Sequence, residues 1–232
     1  MGYVIAPPPQ AAIAVLGSAD RFPVRRIYCV GRNYAEHARE MGGDGREAPF
    51  FFAKPSDAAW NPEPGHPVLP YPVATSDLHH EVELVVAVGA RGAHLDPRQA
   101  ASLAWGCAVG VDLTRRDLQK IAKEKSRPWE TAKGFDRSAP VGALRPLVGN
   151  PPPAAGRIAL RVNGALRQEG DLSQMIWGVG EILSHLSGLF ELLPGDLVFT
   201  GTPAGVGPIG RGDEVSCSVE GVGELRFLLS RD

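Results

Sequence analysis

Several features that usually advertise a function are scarce in this chain of 232 residues. Its three cysteines, Cys29, Cys107 and Cys217, are widely spaced and form no CxxC or Cys/His pair. That argues against a zinc site or disulfide framework and for small buried hydrophobes in a reducing compartment. No run approaches the roughly 20 apolar residues of a membrane span. The start, MGYVIAPPPQ, lacks the charged region of a secretory leader and has Ala6 where a myristoylation pattern needs Ser or Thr. A cytoplasmic location is expected. The formal net charge is only −2 and no basic block is interleaved with aromatics, so neither nucleic acid nor a membrane is an expected partner. No G-x-S-x-G elbow offers a serine nucleophile, and GTPAGVGP (201–208) lacks the G-K-[ST] of a phosphate-binding loop.

What is abundant is punctuation. Twenty-eight glycines and 21 prolines cut the chain into short pieces, favouring strands and turns over a helical bundle. Residues 1–24 read as an N-terminal arm and 25–232 as one principal domain. Strands are expected at 25–31, 49–55, 80–89 and 107–114, and a short helix at 33–42 with Asn33 as its N-cap. The loop signal at 42–49 marks a candidate mobile segment. Asp96-Pro97 announces another helix. TRRDLQKIAKEK opens with the T-x-x-D pattern of a capping box. In SQMIWGVGEILSHLSG, Ile176, Ile182, Leu183 and Leu186 recur at helical spacing, weakened by Gly178 and Gly180. Asn163-Gly164 between alternating residues signals a two-residue hairpin. Helices interspersed among hairpins point to an α+β, strand-rich fold with a mixed sheet.

The stretch HHEVELVVAVG concentrates the chemical question. Glu81 and Glu83 are two apart, on one face of a strand rich enough in valine to be buried on both sides. At about 6 Å and an effective dielectric near 20 they repel by about 3 kcal/mol. A solvent-facing sheet edge would relieve this; so would a divalent cation between them. Asp112 interrupts a second apolar strand, CAVGVDLT, and adds a third carboxylate. Three acids without thiolates suit a hard cation such as Mg²⁺ or Mn²⁺. His79 shares the strand face, leaving a mixed site conceivable beside the preferred oxygen-only one.

Other residues invite chemistry without proving it. His37 and Glu40, i and i+3 on the short helix, are either a solvated pair or a carboxylate-oriented histidine able to take a proton from water. Lys133, expected to follow a loop, is either a surface lysine or a group placed to polarise a carbonyl. Thr202 and the glycines around it form a plain turn or present donors to a ligand carboxylate.

Taken in order, the segments IYCVGRNYAEHAREMG, PFFFAKPSDA, HHEVELVVAVG, GVDLTRRDLQ, KGFDRSAPVG, RVNGALRQEGDLSQMIW and PGDLVFTGTPAGVGPI resemble the fumarylacetoacetate hydrolase family. The resemblance spans about residues 25–230 and is most specific toward members that cleave fumarylpyruvate in gentisate breakdown. It implies a homodimeric enzyme with a strand-rich mixed β-roll, dependent on Mg²⁺ or Mn²⁺. It implies Glu81, Glu83 and Asp112 as metal ligands, His37 and Glu40 as a water-activating dyad on a lid, and Lys133 at the reacting oxygens. Arg116, Gln119 and Thr202 would hold the carboxylate of a small diketo acid. Relatives that act on other acylpyruvates, oxaloacetate or hydroxymuconate derivatives share the same acids. A non-catalytic divalent-ion module is the alternative of another class.

Overall fold

Two layers of sheet enclose most of the buried side chains. The computed structural model describes residues 2–34, 47–62 and 67–232. A six-stranded mixed sheet runs in the order Arg145–Pro146, Ala104–Val111, Val82–Val88, Asp196–Phe199, Arg26–Gly31 and Phe50–Lys54. Asp196–Phe199 and Arg26–Gly31 are parallel, and the other neighbours antiparallel. A five-stranded sheet runs Ala165–Asp171, Arg157–Val162, Glu214–Val219, Gly223–Leu229 and Val68–Leu69.

Strand Val82–Val88 is buried at every position, as its valine-rich run requires. Leu84 and Val86 join Val109 and Val111 against Leu160, Val215 and Phe227 of the five-stranded sheet and against Ile182, Leu183 and Leu186 of helix Val179–Leu189. Val85 and Ala87 face the other way, packing with Ile27, Cys29, Leu197 and Phe199 and with Ile13 and Phe22 of a short hairpin formed by Ala12–Ala14 and Arg21–Pro23. Each fully buried Leu, Ile, Val or Phe contributes about 1.5–3 kcal/mol, and both faces of the central sheet are built this way. Glu83 lies on the same face as Val85, at the end of this second cluster. The result is the α+β, strand-rich architecture with a mixed sheet.

Local signals held where they rested on backbone chemistry. Asp96 accepts hydrogen bonds from the Arg98 and Gln99 N–H groups, both at 2.9 Å, and starts helix Pro97–Ala101. Asn163 and Gly164 take positive φ, 50° and 78°, and join two antiparallel strands. Three readings need correction. The run 80–89 is split: Leu78–His80 pairs with Thr114–Arg115 and Gly207–Pro208 in a small separate sheet, and the chain leaves that ladder at Glu81. The strand placed at 107–114 runs Ala104–Val111 instead. The T-x-x-D box does not form. Thr114 is held in a strand opposite His79, so helix Arg116–Glu124 starts after it, and Asp117 accepts from the Thr75 hydroxyl and the Ser76 N–H instead.

Gly178, read as a weak point, is the N-cap of helix Val179–Leu189, its N–H donating to Glu181 Oε2 at 2.9 Å. Ile176 precedes that helix and donates its N–H to the Asn33 carbonyl. The Asn33 side chain ties the same region together. Its amide donates to the Trp177 and Thr200 carbonyls and its Oδ1 accepts from the Trp177 N–H. Most of the helix expected at 33–42 and of the loop at 42–49 lies outside the described residues. No helix among the described residues is long and apolar enough to cross a membrane.

Candidate metal centre

The break at Glu81 builds the site. The Glu81 carbonyl accepts the Asp112 N–H at 2.8 Å, which sets the two residues side by side where their strands leave the central sheet. Glu83, paired with Gly110 two residues further on, projects on the same side. Each of the three acids offers a carboxylate oxygen within 4.8 Å of the others, and all three are buried. Gly201 closes one wall at φ 97°, and its N–H donates to Glu83 Oε2 at 2.6 Å. A Cβ there would lie 2.7 Å from the Cβ of Asn33, so glycine is required for both the conformation and the close approach.

Three cations pair with two of the acids, Glu81 and Asp112. Lys133 ends the short helix Glu130–Lys133 that follows the loop at 125–129, and its ammonium donates to Asp112 Oδ2 at 2.6 Å and to Glu81 Oε2 at 2.8 Å. Arg116 donates from Nη2 to Glu81 Oε1 and from Nη1 to Gln119 Oε1, both at 2.6 Å. Lys54, which the sequence reading missed, lies 2.7 Å from Asp112 Oδ1 while donating to the Leu113, Ser138 and Lys133 carbonyls. Its only sequence signal was a lysine closing the apolar run FFFAK.

Burial raises the Glu83 carboxyl well above the usual range, and the neighbouring charges of Asp112 and Glu81 add to the shift. Burial alone would lower Lys133, but Asp112 and Glu81 outweigh it and hold its ammonium protonated. Asp112 Oδ1 is buried and, despite its nearness to Lys54, receives no hydrogen bond of adequate geometry. A lone pair left open among clustered carboxylates is what a hard divalent cation with oxygen ligands takes up, and the donor set fits Mg²⁺ or Mn²⁺.

Glu81, Glu83, Asp112, Arg116, Gln119, Lys133 and Thr202 line a single pocket of about 400 Å³, counted to its open mouth. All seven are residues that the sequence singles out, and they come from separate segments of the chain. His79 stands apart: its Nε2 pairs with Asp77 at 2.9 Å and its Nδ1 faces the Arg116 Nε, so the mixed His/carboxylate alternative falls away. His37 and Glu40 lie outside the described residues. Gln168 was also missed. It is the one buried position of its strand, and its amide accepts from the Val82 N–H, bonds His80 Nδ1 and donates to Thr202 Oγ1 and the Pro203 carbonyl. Its signal was present, since alternation marks Gln168 as inward-facing between Arg167 and Glu169.

A strand-rich α+β fold that gathers three buried carboxylates at the floor of an open pocket has the make-up of a candidate oxygen-ligand cation site accessible to small molecules. Residues 26–229 match the family described as fumarylacetoacetate (FAA) hydrolase C-terminal. The chain belongs to the fumarylacetoacetate hydrolase family, whose members are enzymes. It is 48% identical, at a TM-score of 0.96 and over the full length of both chains, to a crystal structure of fumarylpyruvate hydrolase from Pseudomonas aeruginosa in complex with Mn²⁺ and pyruvate. It is 45% identical over 207 residues, 89% of this chain and 92% of the relative, to the mitochondrial oxaloacetate tautomerase of Mus musculus. With the mitochondrial oxaloacetate decarboxylase of Dictyostelium discoideum it shares 37% identity over 198 residues, 85% of this chain and 90% of the relative.

Proposed function

We propose that this protein hydrolyses the C–C bond of a 1,3-diketo acid, fumarylpyruvate, to fumarate and pyruvate, using Mg²⁺ or Mn²⁺ held by Glu81, Glu83 and Asp112. The observation that carries this reading is the buried three-carboxylate cluster at the floor of the pocket, in which Asp112 Oδ1 takes no hydrogen bond. The similarity to the Mn²⁺- and pyruvate-bound Pseudomonas aeruginosa enzyme supports it.

Charge adds a second support. Once Glu83 gives up its proton to bind metal, three acids and three cations balance at the site. A divalent ion then calls for a ligand bringing two negative charges, and an enolised diketo acid provides them through its carboxylate and enolate oxygens. The bound ion would supply Lewis acidity toward the substrate oxygens.

The chain's own side chains do the rest. Gln119 has its Oε1 occupied by Arg116, so its NH₂ remains to donate to the substrate carboxylate. Thr202 accepts from Gln168, which leaves its hydroxyl proton for the same carboxylate. Lys133, kept charged by its acids, donates toward the oxygen that becomes negative as the C–C bond breaks. His37, oriented by Glu40, takes a proton from the water that attacks the distal carbonyl, a role resting on the family resemblance. The full reading is a homodimer acting in the cytoplasm on a small-molecule substrate in aromatic (gentisate) catabolism.

A second reading keeps the site and changes the reaction to tautomerisation or decarboxylation of oxaloacetate, favoured by the mouse and Dictyostelium relatives. The ultraviolet absorbance of enolised fumarylpyruvate separates the two when followed with Mg²⁺ and with EDTA, beside oxaloacetate and acetylpyruvate. Metal-dependent loss with fumarylpyruvate, much slower with the others, is the expected result. Turnover of oxaloacetate alone would give the site to the second reading.

A further inference from the structure

The mouth of the pocket carries positive charge that the reaction leaves unused. Arg32 follows strand Arg26–Gly31 and lines the pocket. Its backbone is held at φ 58°, an uncommon conformation for a side-chain-bearing residue that clusters at ligand sites. Its Nε is buried without a hydrogen-bond partner. The guanidinium lies 5.9 Å from the ring centroid of Phe50. Phe50 stands edge-on to Trp129 at 5.6 Å, and Lys123 Nζ lies 5.4 Å from the Trp129 ring.

Among the described residues neither Arg32 nor Lys123 has a carboxylate within ion-pair distance, whereas Lys54, Arg116 and Lys133 all do. Lys123 is also lowered, first by burial and then by the charges of Arg116 and Arg32, so these cations are near enough to repel one another. Like charges gathered beside aromatic walls, neither of them ion-paired to a carboxylate among the described residues, are stabilised when an anion joins them.

We infer that Arg32, with Lys123 beside it, forms a second anion subsite at the pocket mouth that grips the far carboxylate of the ligand. The planar guanidinium fork matches a carboxylate. Phe50 and Trp129 supply flat apolar walls for the conjugated chain between the two acid ends. The preferred ligand is thus a 2-keto acid with a second carboxylate at the opposite end, an inference that rests on the keto-acid reading of the pocket floor.

The test separates the subsite from turnover. The probes are 2-oxoheptanedioate and 2-oxoheptanoate, as long as fumarylpyruvate, differing only in the distal carboxylate and lacking the 4-keto group that cleavage needs. Their binding to the Mn²⁺-loaded protein is measured by calorimetry. The native chain is expected to prefer the diacid by about tenfold or more, the scale of one charge-assisted contact. Arg32→Gln should bring the ratio close to one, exposed Lys123→Gln should reduce it in part, and Arg32→Lys should restore part of it. Equal affinity for both probes in the native chain, or a preference that survives Arg32→Gln, overturns the subsite. Failure of the native chain to cleave fumarylpyruvate while the diacid preference holds would remove the hydrolase reading and leave the subsite standing.

Discussion

Lys54 and Asp112 lie 2.7 Å apart, ammonium to Oδ1, yet the three protons of Lys54 go to the Leu113, Lys133 and Ser138 carbonyls. The lysine is therefore a brace. It ties strand Phe50–Lys54 to the backbone that carries Lys133 and the residue after Asp112, and it lends charge to the acid without closing its lone pair. Lys54→Met should strand three buried carbonyls and the Asp112 carboxylate, destabilising the fold by about 3–5 kcal/mol. Urea unfolding checks this, and a loss below about 1 kcal/mol would show that the brace is dispensable.

Glu83 and Asp112 should respond in opposite ways to loss of charge. Glu83 is raised by burial and by its acidic neighbours, which favours its neutral form; Glu83→Gln imitates that form, and the amide oxygen can still accept the Gly201 N–H. The metal-free melting temperature should hold or rise. Asp112→Asn instead leaves the buried Lys133 ammonium short of a partner and should cost about 3 kcal/mol or more. Differential scanning calorimetry of both variants in EDTA gives the comparison. Equal destabilisation would contradict the assignment of Glu83 as the neutral member.

The same shift fixes a pH dependence. A carboxyl raised above its ordinary value of 4.5 stabilises the metal-free fold fully below that pH, and the contribution is lost as pH climbs through the raised value. A divalent ion competes with the proton on Glu83, so apparent affinity should increase with pH through the raised value, and binding below it should release a proton. Calorimetric titration of Mg²⁺ in two buffers of different ionisation enthalpy measures that release. Identical heats in the two buffers would count against it.

The thiols should be silent. Burial pushes Cys107 up to about 12 and raises Cys29 and Cys217 well above the ordinary range. Alkylation of the native chain should be negligible at pH 9, where an exposed cysteine reacts readily, and should reach all three after denaturation. Mass spectrometry after iodoacetamide treatment reads the result; labelling of any one thiol in the folded chain would show its cover to open.

The site was legible where a residue type conflicted with its setting. Charged Glu83 and Asp112 in apolar strands needed an explanation, and the explanation placed them together. Lys54 escaped because its partners are backbone carbonyls brought from two distant segments, which no local pattern records. The split at Glu81 escaped for a related reason: alternation continues through it, and only pairing of Leu78–His80 with Thr114–Arg115 turns the chain aside. Gly178 was misread because propensity lowers glycine inside a helix while an N-cap welcomes it. The hairpin at Asn163-Gly164 and the Asp96 cap were readable because both depend on one or two residues and their own backbone.

The most direct test of the central claim follows the free Mn²⁺ paramagnetic resonance signal as purified protein is added at neutral pH. Stoichiometric loss of the signal is expected with the native chain, and weakening by more than about 100-fold in Glu83→Gln, beyond what loss of a supporting partner alone costs. A signal undiminished by the native chain, or Glu83→Gln binding as tightly as the native chain, would contradict a metal centre on these three carboxylates.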